Sequence, residues 1–294
     1  MPLSPNLPAE NRGRGILWML VTMFCFILLD AIMKHLLETY SLVEVTWGRF
    51  FFASIFAALA CGRRLPRLAI SRTPLLQLTR SIFLMSTTGA FNAGIRLTPL
   101  ATGTTIMFLS PILVTLLSIP LLGEKVGPRR WAGIVIGFVG ALIVVRPFED
   151  GFSIGAGVPF LLLAALLNAS YQLLTRRVRA DDPMTSLLYT AAAGTIFTSV
   201  ILPWFWTMPG LLDWTLLAAS GLMGALGHLC LIRAFRSAPA SVVAPFSYSS
   251  LVWASLFGFA IWGDWPDKWT WIGAALIVGS GLYIFHRERV KGGA

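Results

Sequence analysis

Charge is what this sequence has least of. Aspartate, glutamate, lysine and arginine make up 12% of its 294 residues, against roughly 25% in a soluble domain. A soluble core could not hide the remainder, because 56% of the residues are hydrophobic and the mean hydropathy is +0.75. Cysteine is equally scarce. Cys25, Cys61 and Cys230 fall in or beside apolar runs without metal-ligand spacing, which speaks against a disulfide framework or a zinc site and leaves them as small packing residues. There is no glycine-rich phosphate loop ending in Lys followed by Ser or Thr, no His-Glu-x-x-His pair and no paired helical carboxylates. No catalytic residue, metal or cofactor is therefore expected, and ATP-driven pumping would need another subunit.

Apolar runs are what the chain has in quantity. They are about 18 to 22 residues long, enough for a helix to cross roughly 30 Å of hydrocarbon. Ten spans are predicted: Ile16–Leu36, Val43–Ala60, Pro74–Asn92, Pro99–Leu121, Trp131–Val145, Gly155–Leu174, Ser186–Trp206, Leu212–Ile232, Ala240–Trp262 and Trp269–Phe285. The first run is of full spanning length and lacks a small-residue cleavage site, so it is expected to be retained. An even count puts both ends on one side. With the N-terminus inside, seventeen of the 23 basic residues lie in inner segments, only Arg96, Arg146 and Lys268 in outer ones, and Lys34, Arg49 and Arg80 within spans. That bias orients a membrane protein at insertion, and it accounts for the net charge of +10 without nucleic acid.

The chain also repeats itself. At a constant offset of 140 residues, Arg96–Val145 overlays Arg236–Phe285, matching Arg96 with Arg236, Pro99 with Pro239, Ser110 with Ser250, Gly123 with Gly263, Trp131 with Trp271 and Gly133 with Gly273. Five spans per half is an odd number, so the second half must be inverted. The turn at Gly123–Arg130 then faces inward and its counterpart at Gly263–Lys268 outward. The expected fold class is an all-α membrane protein with ten transmembrane helices in two inverted five-helix repeats. Its divisions are a cytoplasmic tail at 1–15, repeats at 16–146 and 155–286, and a second cytoplasmic tail at 287–294.

Ionisable and polar groups inside spans are costly and mark pathways. Asp30 and Lys34, four residues apart on the first span, could partly neutralise each other, and Asp30 is a candidate for a solvent-accessible route or for coupling. Arg49, about 9 Å inside the second span, calls for a substrate anion or an internal ion pair, with Glu44 nearby. Arg80 enters the third span from the other side. His228 is a candidate proton carrier or an ordinary interhelical hydrogen-bonding group. Asn168, Tyr171 and Gln172 on the sixth span, the run Ser247, Tyr248, Ser249 and Ser250 on the ninth, and Thr105 and Ser110 on the fourth are candidates for a polar cavity, unless their hydroxyls serve their own helix backbones. Trp47, Phe108 and Trp253 would suit a planar ligand. Pro111 and Pro245 are candidate hinges or unwound points.

Pro99-Leu100-Ala101, Ser110-Pro111, Leu122-Gly123-Glu124-Lys125 and Trp131-Ala132-Gly133 through Gly140 resemble the first EamA-type unit of the drug/metabolite transporter superfamily. Ala238-Pro239-Ala240, Pro245-Phe246-Ser247-Tyr248, Gly263-Asp264-Trp265-Pro266 and Ile272-Gly273-Ala274-Ala275 resemble its second unit. The resemblance spans residues 15 to 287. It implies a central cavity between inverted halves and secondary, alternating-access transport in a bacterial cytoplasmic (inner) membrane, with proton coupling as one form. It points to the branch containing riboflavin and S-adenosylmethionine uptake proteins, whose related exporters handle amino acids, aromatic metabolites and metallophores. Cavity positions implied on the first, third, fourth, sixth, eighth and ninth helices correspond to Asp30, Arg80, Ser110, Asn168, His228 and Tyr248. Asn92-Ala93 departs from the frequent tyrosine-alanine pattern at the end of the third helix.

The expected function is therefore a carrier for a small organic metabolite, as monomer or homodimer, with protons and membrane lipids as further partners and no nucleic acid. A lipid-modifying enzyme using Asp30 and His228, or a structural assembly protein, are the rival classes. Covalent product formation would mark the first, and a co-purifying protein without ligand-dependent stabilisation the second.

Overall fold

The computed structural model describes residues 12–110, 112–114, 116–117, 128–145, 155–178, 181–237 and 243–292. Every regular element among them is helical: α1 (Arg12–Leu36), α2 (Leu42–Cys61), α3 (Pro74–Ile95), α4 (Leu100–Met107), α5 (Pro128–Val145), α6 (Val158–Arg177), α7 (Pro183–Ile201), α8 (Leu211–Ser237), α9 (Ser250–Trp262) and α10 (Lys268–Gly292). Short helical turns over Gly62–Arg64 and Leu65–Leu68 follow α2, and Leu202–Trp204 closes α7. Five helices are long and apolar enough to cross a membrane by length and composition, and shorter apolar ones accompany them. Exposed Val135, Phe138, Leu163, Ile196, Val200 and Phe259 form the apolar outer surface that a lipid-embedded bundle needs.

Two predicted spans are irregular at matching places. In the fourth, α4 ends at Met107, a turn covers residues 108–109, and helix resumes at Ser110. In the ninth, a 3₁₀ helix over Ala244–Ser249 precedes α9. The offset of 140 brings 108–109 onto 248–249, so the breaks are repeat-related. Phe108 and Tyr248, themselves equivalent under that offset, meet edge to face with centroids 5.1 Å apart. The local twofold relation between the halves passes between them.

Packing follows the same relation. Exchanging each helix for the one five places later turns the contact α1–α8 into α6–α3, α2–α8 into α7–α3 and α1–α9 into α6–α4. The contacts α2–α7, α4–α9 and α5–α10 map onto themselves, and all of these pairs pack. Eight helices therefore form a ring in the order α1, α8, α2, α7, α3, α6, α4, α9, with α5 and α10 paired outside it. The α5–α10 crossing is close because it is made by glycine: a Cβ on Gly273 would lie 2.6 Å from the Gly140 carbonyl oxygen, the approach that small residues allow in lipid.

The directions of the helices establish the inversion. Gly273, near the start of α10, packs on Val144, near the end of α5, while Gly137 approaches Ser280, so the two are antiparallel and begin at opposite faces. One face carries Arg63, Arg64, Arg67, Arg72 and Arg177, and is the arginine-rich end. The other gathers the connections at 37–41, 96–99, 202–210 and 263–267 and is the tryptophan-rich end. Tyr40 there donates to Asp213 at 2.6 Å and the Thr207 N–H donates to Glu44 at 3.2 Å.

Candidate functional site

The ring places three polar stripes on its inner side. On α1, Leu29 lies beside Gly224 of α8. On the other flank, Ile27 and Ala31 join a core with Phe91, Ile95, Leu161 and Leu251. Phe26, Asp30 and Lys34 fall between those flanks, and the opposite side, Leu28, Ile32 and His35, lines an outer groove. Asp30 thus faces the lumen. On α2, Gly48 packs on Leu217 of α8 and Phe50 on Gly194 of α7, with Ile55 exposed on the far side. Arg49 falls between the two contacts and also faces inward, as does Thr46, which accepts a 3.3 Å hydrogen bond from Asn92 Nδ2. On α6, Asn168 and Gln172 continue the stripe of Leu161 and Ala165, opposite exposed Leu163 and Leu166.

Asp30 and Arg49 are both half-buried. Each senses the other's field, yet among the described residues the only ion pairs are Lys34–Asp264 and His35–Glu38. The expected Asp30–Lys34 neutralisation does not form. Lys34 points past Asp30 to the tryptophan-rich end, donates to the Thr98 carbonyl at 2.8 Å, lies 3.7 Å from Asp264 and sits over the Trp262 ring at 4.8 Å. Nor does Glu44 pair with Arg49, since it is wholly buried and turned toward the Thr207 N–H. Five residues along a helix leave the two side chains on different faces.

Arg80 is the opposite case. Only 5% exposed, it donates to Thr175 Oγ1 at 2.8 Å, Thr190 Oγ1 at 3.0 Å, the Ser186 carbonyl at 3.2 Å and the Tyr171 hydroxyl at 2.7 Å. Its guanidinium also lies 4.7 Å from the Tyr171 ring centroid. Gln77, one turn earlier, donates to Asp181 at 2.9 Å and to Ser186 at 3.0 Å. Burial pushes the Asp181 carboxyl up, but hydrogen bonds from Gln77, Ser71 and the Arg72 N–H, with the Arg72 charge, outweigh this and hold it below the usual carboxylate range. A continuous polar network thus binds α3 to α6, α7 and their connection.

Other candidates divide between lumen and backbone. His228 packs edge-on against Phe26 at 5.1 Å and senses Arg49 and Arg80, and it makes no hydrogen bond among the described residues. Trp253 packs edge-on against Phe24 at 5.2 Å, with its buried Nε1 unpaired among the described residues. Thr105 is fully buried and donates to the Ala101 carbonyl at 2.8 Å, and Ser110, 1% exposed, donates to the Ala165 carbonyl at 3.3 Å. Thr105 thus serves its own helix, the option a helix offers Ser and Thr, and Ser110 ties its span to the backbone of α6. Ser249 likewise donates to Phe246 at 2.7 Å, while Ser247 and Tyr248 are half-buried in the 3₁₀ segment that also holds Pro245. Trp47 lies outside the lumen, stacked on Phe51 at 4.7 Å and donating to Ser199. Pro111 lies outside the described residues. Thr46 and Gln77 had no distinguishing signal in the sequence, and Asn92 stood out only as a departure from the family's pattern, because an uncharged polar residue in a span looks the same whether it faces lumen, neighbour or its own backbone.

The sequence profile of the EamA-like transporter family matches residues 13–146 and 155–285, one copy on each half of the ring. The chain belongs to the EamA-like transporter family. It is a multi-pass membrane transporter and not an enzyme. The EamA chain is 28% identical to an S-adenosylmethionine uptake transporter of Rickettsia bellii over 97% of each protein. It is 30% identical to a riboflavin transporter of Rhizobium johnstonii over 93% of this chain and 91% of that protein. A pseudopaline exporter of Pseudomonas aeruginosa is 29% identical over 90% of this chain and 93% of its own length. Among solved structures, a crystal structure covering 95% of this chain and 99% of its own superposes with a TM-score of 0.62 at 20% identity, which places the two in one fold.

Proposed function

We propose that this EamA chain is a secondary transporter for uptake of a small amphipathic organic metabolite across a bacterial inner membrane, working by alternating access. The observation that carries the reading is that Asp30 and Arg49 turn toward the inner side of a ring of helices built from two matching halves, and Asn168, Gln172 and His228 complete the lining in this proposal. At its tryptophan-rich end, α1, α3, α4, α6 and α9 pack through Ile27, Ala31, Phe91, Ile95, Leu100, Leu161 and Leu251. The arginine-rich end, with both termini, is cytoplasmic by the charge bias over short connections. Lys34, holding the α3–α4 connection and the turn after α9 at once, is the latch of the outer gate. The paired breaks at 108–109 and 244–249, with Pro245 in the second, are the hinges about which the ring reopens. Asp30 and His228 are the coupling groups for protons. A monomer is the working unit in this reading, with lipid around the exposed apolar surface.

Reconstitution into vesicles tests this directly. Uptake of riboflavin, S-adenosylmethionine, nucleosides, amino acids and metal-chelating metabolites is measured with and without a pH gradient. Saturable uptake of at least one compound, accelerated by a gradient of inward proton drive, is the expected result. Folded protein that moves none of them removes the reading, and movement only against the uptake direction moves the chain to the exporters that its Pseudomonas relative represents. Lys34→Met is expected to raise the labelling of cysteines placed in the lumen by an impermeant reagent added from outside. Unchanged labelling removes the latch.

A further inference from the structure

The side of α1 that turns away from the lumen carries Leu28, Ile32 and His35, about one turn apart. They line a groove together with Ala31, Leu216 of α8 and Ile261 of α9. Its walls are apolar: Ala31 is wholly buried, Leu28, Ile32 and Leu216 are half-buried, and Ile261 is exposed on the outer surface of the bundle. Polarity is confined to one end. His35 lies one residue from the end of α1 at Leu36 and Leu28 seven residues deeper, so the groove runs about 10 Å down from the tryptophan-rich end. At its mouth the exposed Glu38 lies 3.4 Å from His35 and accepts from Trp262 Nε1 at 2.5 Å. Lys34 is engaged by Asp264 and the Thr98 carbonyl, and among the described residues no lysine or arginine pairs with Glu38. A carboxylate with acceptor capacity to spare thus stands beside the last residue of α9, Trp262, at the interfacial depth that tryptophan favours. Below it lies a slot walled by hydrocarbon. An occupant must be apolar along its length and polar at one end, which is the profile of a lipid. A carboxylate at the head position repels an anionic headgroup and favours one with N–H donors and positive charge.

We infer that this groove binds one phospholipid from the leaflet at the tryptophan-rich end, with an acyl chain along Leu28, Ile32, Leu216 and Ile261 and a primary ammonium headgroup donating to Glu38. The site needs only a bundle embedded in a membrane. Its consequence for gating rests on the transporter reading above: the Trp262 ring that donates to Glu38 also carries Lys34 at 4.8 Å, so a headgroup held by Glu38 steadies the surface on which the latch rests and favours the closed outer end.

The test titrates full-length protein in detergent with phosphatidylethanolamine, phosphatidylcholine and phosphatidylglycerol of identical acyl chains and counts retained lipid by native mass spectrometry. One phosphatidylethanolamine is expected to be retained about tenfold more tightly than phosphatidylglycerol, with phosphatidylcholine, which has the charge but no N–H, between them. Glu38→Gln is expected to remove most of that preference, and Ile32→Trp, which fills the slot, to weaken all three lipids. Equal retention of the three, or a preference for phosphatidylglycerol, overturns the inference. Retention that neither substitution changes puts the lipid elsewhere and overturns it as well. Should a variant fail to fold, phosphatidylethanolamine with a photoreactive acyl chain decides on the wild type: crosslinks are expected within residues 28–38, 211–217 or 257–262, and crosslinks confined to other segments overturn the site. In vesicles, replacing phosphatidylethanolamine by phosphatidylglycerol is expected to raise labelling of lumen cysteines from outside at least twofold in wild type and not in Glu38→Gln. Labelling that ignores the lipid removes the link to the latch and leaves the binding site, and a protein that holds the lipid but carries no metabolite overturns the transporter reading alone.

Discussion

Two arginines enter the membrane-spanning part of this EamA chain, and the protein treats them in opposite ways. Around Arg80 the structure supplies oxygens from α6 and α7 until each nitrogen of the guanidinium has an acceptor. Around Arg49 it supplies a half-buried position on the inner wall, the ring of its neighbour Phe50 beneath the guanidinium at 5.6 Å, and no acceptor among the described residues. A charge that is fully hydrogen-bonded adds rigidity and cannot easily be recruited by a ligand. One that is left wanting does little for the fold and awaits a partner from solution. The contrast separates a cation that the fold has hydrogen-bonded from one for which it supplies no acceptor among the described residues.

Substitutions at the two positions break the contrast most directly. Arg80→Ala strands several buried oxygens and is expected to cost about 3 kcal/mol of stability, seen as a large fall in melting temperature and in yield of folded protein. Arg49→Ala is expected to leave stability within about 0.5 kcal/mol while cutting transport at least tenfold in vesicles. Similar stability losses at both sites would erase the distinction. Tyr171→Phe removes one of Arg80's acceptors and keeps the ring beneath it, so a loss of about 1 kcal/mol is expected, measurable by the same melting curves.

The smallest effect is at Asp181, where the network meets the arginine-rich face. Its folded carboxyl lies below the ordinary value of 3.8, so its contribution to stability is fully present above that value and is lost as the pH falls through the folded one. The melting-temperature gap between wild type and Asp181→Asn is accordingly expected to be constant above about pH 5 and to close toward pH 3. A gap that widens on acidification would contradict the sign.

Much of this architecture is legible in the sequence, because ten apolar runs and an offset that overlays Ser110 on Ser250 are both patterns of local chemistry. The charged positions within the spans stand out for the same reason, since Asp30, Arg49 and Arg80 interrupt otherwise apolar runs. Which charge is satisfied is a different matter. The oxygens around Arg80 belong to Tyr171, Thr175, Ser186 and Thr190, about a hundred residues away and indistinguishable in sequence from Thr105 and Ser110, whose hydroxyls bond backbone carbonyls. Lys34 misleads similarly: Asp30 is four residues off, but the acid it reaches is Asp264, which Gly263 presents by adopting a positive φ of 73° at the end of α9. A left-handed glycine there is affordable, and it turns a distant carboxylate into a near one.

The meeting of Phe108 with Tyr248 reaches beyond geometry. In an inverted duplication, trading the roles of the halves converts the shape open to one compartment into the shape open to the other, and a perfectly duplicated chain would rest equally in both. Here the residues that face each other at the centre of that exchange differ by a phenolic oxygen, and most other positions of the two halves differ as well, so nothing in the copy forces the two shapes to equal energy.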